Sequence, residues 1–150
     1  VKRIVAKSPT KDDAVVSFGP KLNIIEGHSN TGKTCVAKCI DFAFGGSTKK
    51  PFKESSGYDR VVMTISTYDG KELIIDRTVG KNTATVTSDI EGIESDTYDV
   101  EFKKKQKHPV LNTVWLKLMG IDGDTEPMVV KNSVFEKKRL TWKTLLRFST

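Results

Sequence analysis

Cysteine is scarce, with two residues, Cys35 and Cys39, in a chain of 150. Four positions apart on an expected helix, they stack on one face, and no second pair exists to complete a metal site. They read as small buried residues of a protein in a reducing compartment. Long apolar runs are missing too. None approaches the ~20 residues that span a bilayer, and Val1-Lys2-Arg3 is not followed by a signal-peptide core. A soluble, cytoplasmic protein without a membrane partner is expected. Histidine occurs only as His28 and His108. No Ser/His/Asp or Cys/His set can be assembled around them, so covalent hydrolase chemistry has no support.

What is present fits one core. An apolar fraction of 37% in 150 residues supports a single domain, taken here as 1–150. Lysine and arginine total 25 against 19 acidic residues, a formal +6, which mildly favours polyanionic partners. The densest basic stretch, Lys103-Lys-Lys-Gln-Lys-His108, reads as a solvated turn, with a phosphate or DNA contact as the functional alternative.

The local patterns alternate between strand and helix. Val1 to Lys7 and Ala14 to Phe18 are short β-type runs around a loop, and Gly19-Pro20 turns the chain. Leu22-Asn-Ile-Ile-Glu26 reads as a compact strand ending at Gly27. From Lys33 the pattern is helical, with Val36, Cys39, Ile40 and Ala43 on one face and Gly45-Gly46 as the stop. Ser47 to Gly57 reads as an exposed loop. Val61–Thr67, Glu72–Arg77, Thr83–Ser88 and Thr97–Phe102 form an antiparallel meander, with a hairpin turn at Asp69-Gly70. Val110 to Met119 has helical spacing closed by Gly120. Met128–Val130 reads as a short strand, and Thr141 to Phe148 as the start of a helix capped by Thr141.

One segment carries chemistry. Gly27-His28-Ser29-Asn30-Thr31-Gly32-Lys33-Thr34 fits G-x-x-x-x-G-K-[ST] without gaps, between an expected strand and an expected helix. The two glycines let the backbone curl so that successive N–H groups face inward, and the helix start adds its positive dipole end. Triphosphate oxygens suit that cavity. Lys33 would set its ammonium between the β- and γ-phosphates, as the residue acting in catalysis, and the Thr34 hydroxyl would ligate Mg²⁺. The expected nucleotide-binding residues run from Gly27 through His28, Ser29, Asn30, Thr31, Gly32, Lys33 and Thr34 to Cys35. Asn30 either orients water or γ-phosphate or simply forms the turn.

Two look-alikes carry less. Leu73-Ile-Ile-Asp76 has the form of an apolar strand ending in a Mg²⁺-holding aspartate, but follows the hairpin turn by only a few residues. Asp89-Ile-Glu-Gly92 imitates a GTPase element, yet no guanine-reading Asn-Lys-x-Asp occurs.

Pro20-Lys-Leu-Asn-Ile-Ile-Glu-Gly27 through Cys39-Ile-Asp-Phe-Ala-Phe-Gly-Gly46 resembles the amino-terminal half of an SMC/RecN-type head, an ABC-like P-loop ATPase. The cues are the apolar strand entering the loop, Asn30 two residues before the Gly-Lys pair, and the Ile-Asp-Phe-Ala-Phe-Gly-Gly helix end. The meander, with Arg77 ending a strand, is similar to the β-layer of such heads. The resemblance implies an α/β fold: a mixed sheet with an antiparallel meander layer and a P-loop helix, in an incomplete head lobe. It implies ATP and Mg²⁺ as cofactors. The implied partners are a carboxy-terminal lobe of the same protein, a second head in a dimer, and DNA in repair, chromosome maintenance or defence. The family's signature loop and catalytic acidic pair are not in this sequence, and its sole glutamine, Gln106, does not match the family's Mg²⁺-sensing glutamine. ATPase activity is therefore expected of the full-length protein rather than of this segment. A self-contained P-loop kinase and a β-rich nucleic-acid module without nucleotide are the alternatives; five widely dispersed arginines speak against the first, and intact Lys33 and Thr34 against the second.

Overall fold

The computed structural model describes residues 1–29, 31–46, 48–121, 127–130, 137–142 and 144. In chain order the elements are β1 (Arg3–Lys7), β2 (Ala14–Ser17), α1 (Lys33–Ala43), β3 (Arg60–Ser66), β4 (Glu72–Thr78), β5 (Thr83–Ser88), β6 (Asp96–Asp99), α2 (Leu111–Leu118), β7 (Met128–Val130) and β8 (Lys137–Arg139). A single 3₁₀ turn at Glu54–Ser56 precedes β3.

Six strands form one sheet in the order β2-β1-β3-β4-β5-β6. Every pair in it is antiparallel. A mixed sheet was the expectation; parallel pairing among the described residues is confined to an isolated bridge between Asp99 and Val110. The meander therefore does not form a separate layer, because β3 continues the β1–β2 hairpin directly. In strands that alternate in and out, directly paired residues share a face. Ile4 faces Met63, Met63 faces Ile75 and Ile75 faces Val86, giving one buried apolar row across four strands. Each such side chain stabilises the fold by roughly 1.5–3 kcal/mol through its burial.

Helix α1 lies across β1, β3 and β4 and buries Cys39, Phe42 and Ala43. Phe42, absent from the expected face, is more deeply buried than Val36 or Ile40. The helix ends where the double glycine implies. Gly45 has φ 79°, its N–H donates to Phe42 O at 3.0 Å, and the Gly46 N–H donates to Asp41 O at 2.7 Å, a Schellman closure. Helix α2 buries Leu111, Val114, Trp115 and Leu116. It is joined to the end of α1 by the Trp115 Nε1–H bond to Phe44 O at 3.0 Å and by the stacked Phe44 and Trp115 rings, 4.5 Å apart.

Two expectations are corrected. The segment 22–26 is not a strand: it pairs with nothing in either sheet, and Leu22, Ile24 and Ile25 are 87%, 77% and 46% exposed. An apolar run signals a demand for burial, and here no described element of the chain meets it. The β3–β4 loop closes on three residues rather than two, because Thr67 pairs with Lys71, and Gly70 takes the left-handed φ of 84°. The helix expected over 141–148 lies largely outside the described residues. Its cap lies within them, with the Thr144 N–H donating to Thr141 Oγ1 at 3.3 Å.

Candidate functional site

The glycine-bounded loop opens onto the first turn of α1. Gly32 is the residue before the helix, with φ 88° and ψ 1°, a left-handed conformation that side-chain-bearing residues reach only at a cost. Its carbonyl already accepts from the Cys35 N–H at 2.9 Å and the Val36 N–H at 3.2 Å, so the helix begins at the Gly-Lys junction. No side chain caps this N-terminus, which keeps its first N–H groups available to an outside acceptor. A Cβ built at Gly32 would meet nothing within 4 Å, whereas one at Gly27 would lie 3.0 Å from Thr31 Oγ1. Both glycines hold positive φ, 148° at Gly27 and 88° at Gly32, and the first is closely packed as well.

Lys33 folds back over this loop. Its ammonium donates to Gly27 O and His28 O, both at 2.6 Å, and to Thr31 Oγ1 at 3.3 Å. Thr31 Oγ1 in turn donates to His28 O at 2.8 Å. The three donors of the ammonium are thereby engaged, the longest bond being the one an anionic oxygen would most easily replace. Gly27, His28, Ser29, Thr31, Gly32 and Thr34 are exposed, and Lys33 and Cys35 are half-buried. Asn30 lies outside the described residues.

The surroundings hold the helix rather than add chemistry. Cys35 Sγ donates to Pro51 O at 3.6 Å, drawing the segment after α1 toward the loop. Cys39 is buried, and that burial, reinforced by the neighbouring Cys35, pushes its thiol up to about 12. At neutral pH it is an inert thiol. Arg77 is 4% exposed; its guanidinium bonds Phe42 O at the end of α1 and lies 4.0 Å over the Phe42 ring. Burial lowers its pKa to about 10, an effect that the nearby Asp41 opposes. Sequence reasoning noted Arg77 but could not see that it ties β4 to the carboxyl end of the loop helix, since the contact needs the packing of α1 on the sheet. Asp41 is a second link that the sequence did not announce: its Oδ2 accepts the Thr48 N–H at 2.8 Å. Asp76 forms a two-pronged pair with Arg60 on the neighbouring strand, so it serves the sheet.

The donor set fits a magnesium triphosphate. Uncapped helix N–H groups and the Lys33 ammonium suit phosphate oxygens, and the exposed Thr34 hydroxyl suits a hard cation. Among the described residues, no group of three or more His, Cys, Asp or Glu could hold a metal ion. Mg²⁺ at this loop would therefore take most of its ligands from phosphate and water. When bound, it would neutralise charge on the phosphates.

A glycine-bounded loop ending at an uncapped helix start has the local form of a phosphate-binding loop, although no strand leads into it and the sheet beside it is antiparallel. A family model described as an AAA domain matches residues 8–139, and the chain belongs to that family of P-loop ATPases. Neither a search of curated proteins nor one of solved structures gives a match. No helix among the described residues is long and apolar enough to cross a membrane.

Proposed function

We propose that this chain binds Mg·ATP through Gly27 to Cys35 as the amino-terminal lobe of an SMC/RecN-like ATPase head. The observation that carries the reading is the Gly32–Lys33 junction, where a left-handed glycine, an uncapped helix start and a lysine folded over the loop coincide. Lys33 would move its ammonium from the loop oxygens to the β- and γ-phosphates, and Thr34 would ligate Mg²⁺. The AAA family includes the ATPase domains of SMC-like proteins, which agrees with the resemblance carried by the helix-end motif.

Turnover would need a second lobe and a partner head, with nucleotide acting as a switch for head engagement on DNA. The exposed Leu22, Ile24 and Ile25 support this, because no described residue covers the apolar segment that leads straight into the phosphate loop, and an exposed apolar patch favours docking of a further element. Adenine is favoured over guanine by the resemblance and by the missing guanine-reading element. The test is Lys33→Ala, read by calorimetric titration with Mg·ATP and by circular dichroism. We expect binding to fall at least about 100-fold, the loss of a charge-assisted phosphate contact worth about 3 kcal/mol, with the spectrum unchanged. Unchanged affinity would sink the assignment.

A further inference from the structure

The positive charge of this chain is not spread evenly. Three segments far apart in sequence, 48–58, 100–109 and 137–139, hold ten lysines and arginines and two glutamates, a formal +8 against +6 for the whole chain. The remaining residues therefore sum to −2. The fold brings the three segments to one side of the molecule. Lys49 pairs with Glu101, joining the first segment to the second. Arg139 lies 3.1 Å over the Phe102 ring, joining the second to the third, and Val100, Phe102, Arg139 and Leu140 together line a small apolar cavity of about 140 Å³ beneath the junction. The second segment is anchored and not a free tail: Gln106 Nε2 is buried within it, and Val100 donates its N–H to Asn82 O at 3.0 Å.

Among the described residues most of this charge is uncompensated. Lys103, Lys104, Lys105 and Lys107 are exposed, as are Lys137 and Lys138, and none has an ion-pair partner among the described residues. Six ammonium groups on one face, without an ion pair to any described residue, repel one another and raise the local potential, an arrangement that a polyanion relieves. The lysines sit on a loop and a short hairpin, not along an amphipathic helix with an apolar face opposite, the form that lies on membranes. Arg139 occupies one face of the Phe102 ring beside them, and the ring is 43% exposed; one aromatic ring is not the series of stacking platforms on which single strands are held.

We infer that the surface formed by Lys103–Lys107 and Lys137–Lys138 is a contact site for the phosphate backbone of a nucleic-acid duplex, bound without regard to sequence. The inference deepens the DNA-directed part of the proposed function and rests on that part alone; it requires nothing of the phosphate loop. Binding by ammonium groups displaces counterions, so affinity falls with salt with a slope of about −0.9 per phosphate contacted.

The test is fluorescence anisotropy of a labelled 30-base-pair duplex with the whole chain from 50 to 200 mM salt. It compares the unaltered protein with K103A/K105A/K107A and K137A/K138A, and acidic phosphatidylserine vesicles are assayed in parallel. We expect the triple variant to bind about tenfold or more weakly at 100 mM salt and its salt slope to be shallower by about 2–3. The double variant should change in the same direction by less, with Mg·ATP titration unaltered in both. Equal duplex affinity and slope in all three proteins would overturn the site, as would vesicle binding without duplex binding. Duplex binding that survives Lys33→Ala, in a variant that no longer takes up Mg·ATP, would leave this site standing while the nucleotide assignment fails.

Discussion

At the scale of single residues, the thiol of Cys39 makes a quantitative prediction. Its folded-state pKa, about 12, lies above its ordinary value of 9.0. Between those values the unfolded chain sheds the proton while the folded chain keeps it, so stability is full below pH 9 and is lost as pH rises toward 12. The loss from this group is bounded by about 1.4 kcal/mol per pH unit. Urea unfolding at pH 8 and pH 10 should show a steeper fall for the natural protein than for Cys39→Ala; equal falls would mean that the thiol is not protected. Lys33 and its loop were legible from spacing alone, because a phosphate loop is a local device whose parts lie within eight residues. Arg77 was legible only as an arginine near the end of a strand. Its bond to Phe42 O spans 35 positions, and no local pattern encodes a partner at that distance.

At the scale of elements, the end of α1 is tightly constrained. A Cβ added at Gly46 would sit 1.9 Å from Asp41 Oδ1, forcing that carboxylate away from the Thr48 N–H. Gly46→Ala should lower stability by about 1–2 kcal/mol, the cost of a displaced charge-assisted bond and local overpacking. The same change in an Asp41→Ala background should cost under half as much. A double-mutant cycle in urea checks this, and additive effects would disprove the coupling. The antiparallel strands were readable because they alternate apolar and polar residues, as in β4, where Leu73, Ile75 and Arg77 point inward. Strand β8 was missed because Lys137-Lys-Arg139 has no apolar residue to alternate. The opposite error occurred at 22–26, where apolar content suggested a strand that has no partner in either sheet.

At the scale of the whole molecule, two features support the proposal of a lobe that acts with another: an apolar approach to the phosphate loop that the described residues leave uncovered, and a basic face segregated from an otherwise slightly acidic chain. Replacing Leu22 and Ile24 by Ser should change stability by no more than about 0.5 kcal/mol, because neither side chain is packed against the described residues. It should also reduce self-association in sedimentation velocity. A loss above about 2 kcal/mol would mean that the segment is held inside this chain after all. The central claim, that this is an ATP-binding lobe whose turnover requires a second lobe, is tested most directly by calorimetric titration of the purified chain with Mg·ATP and Mg·GTP, followed by a turnover assay on the same sample. The account predicts binding of Mg·ATP in preference to Mg·GTP with negligible turnover; rapid hydrolysis by the isolated monomer, or no nucleotide binding at all, would contradict it.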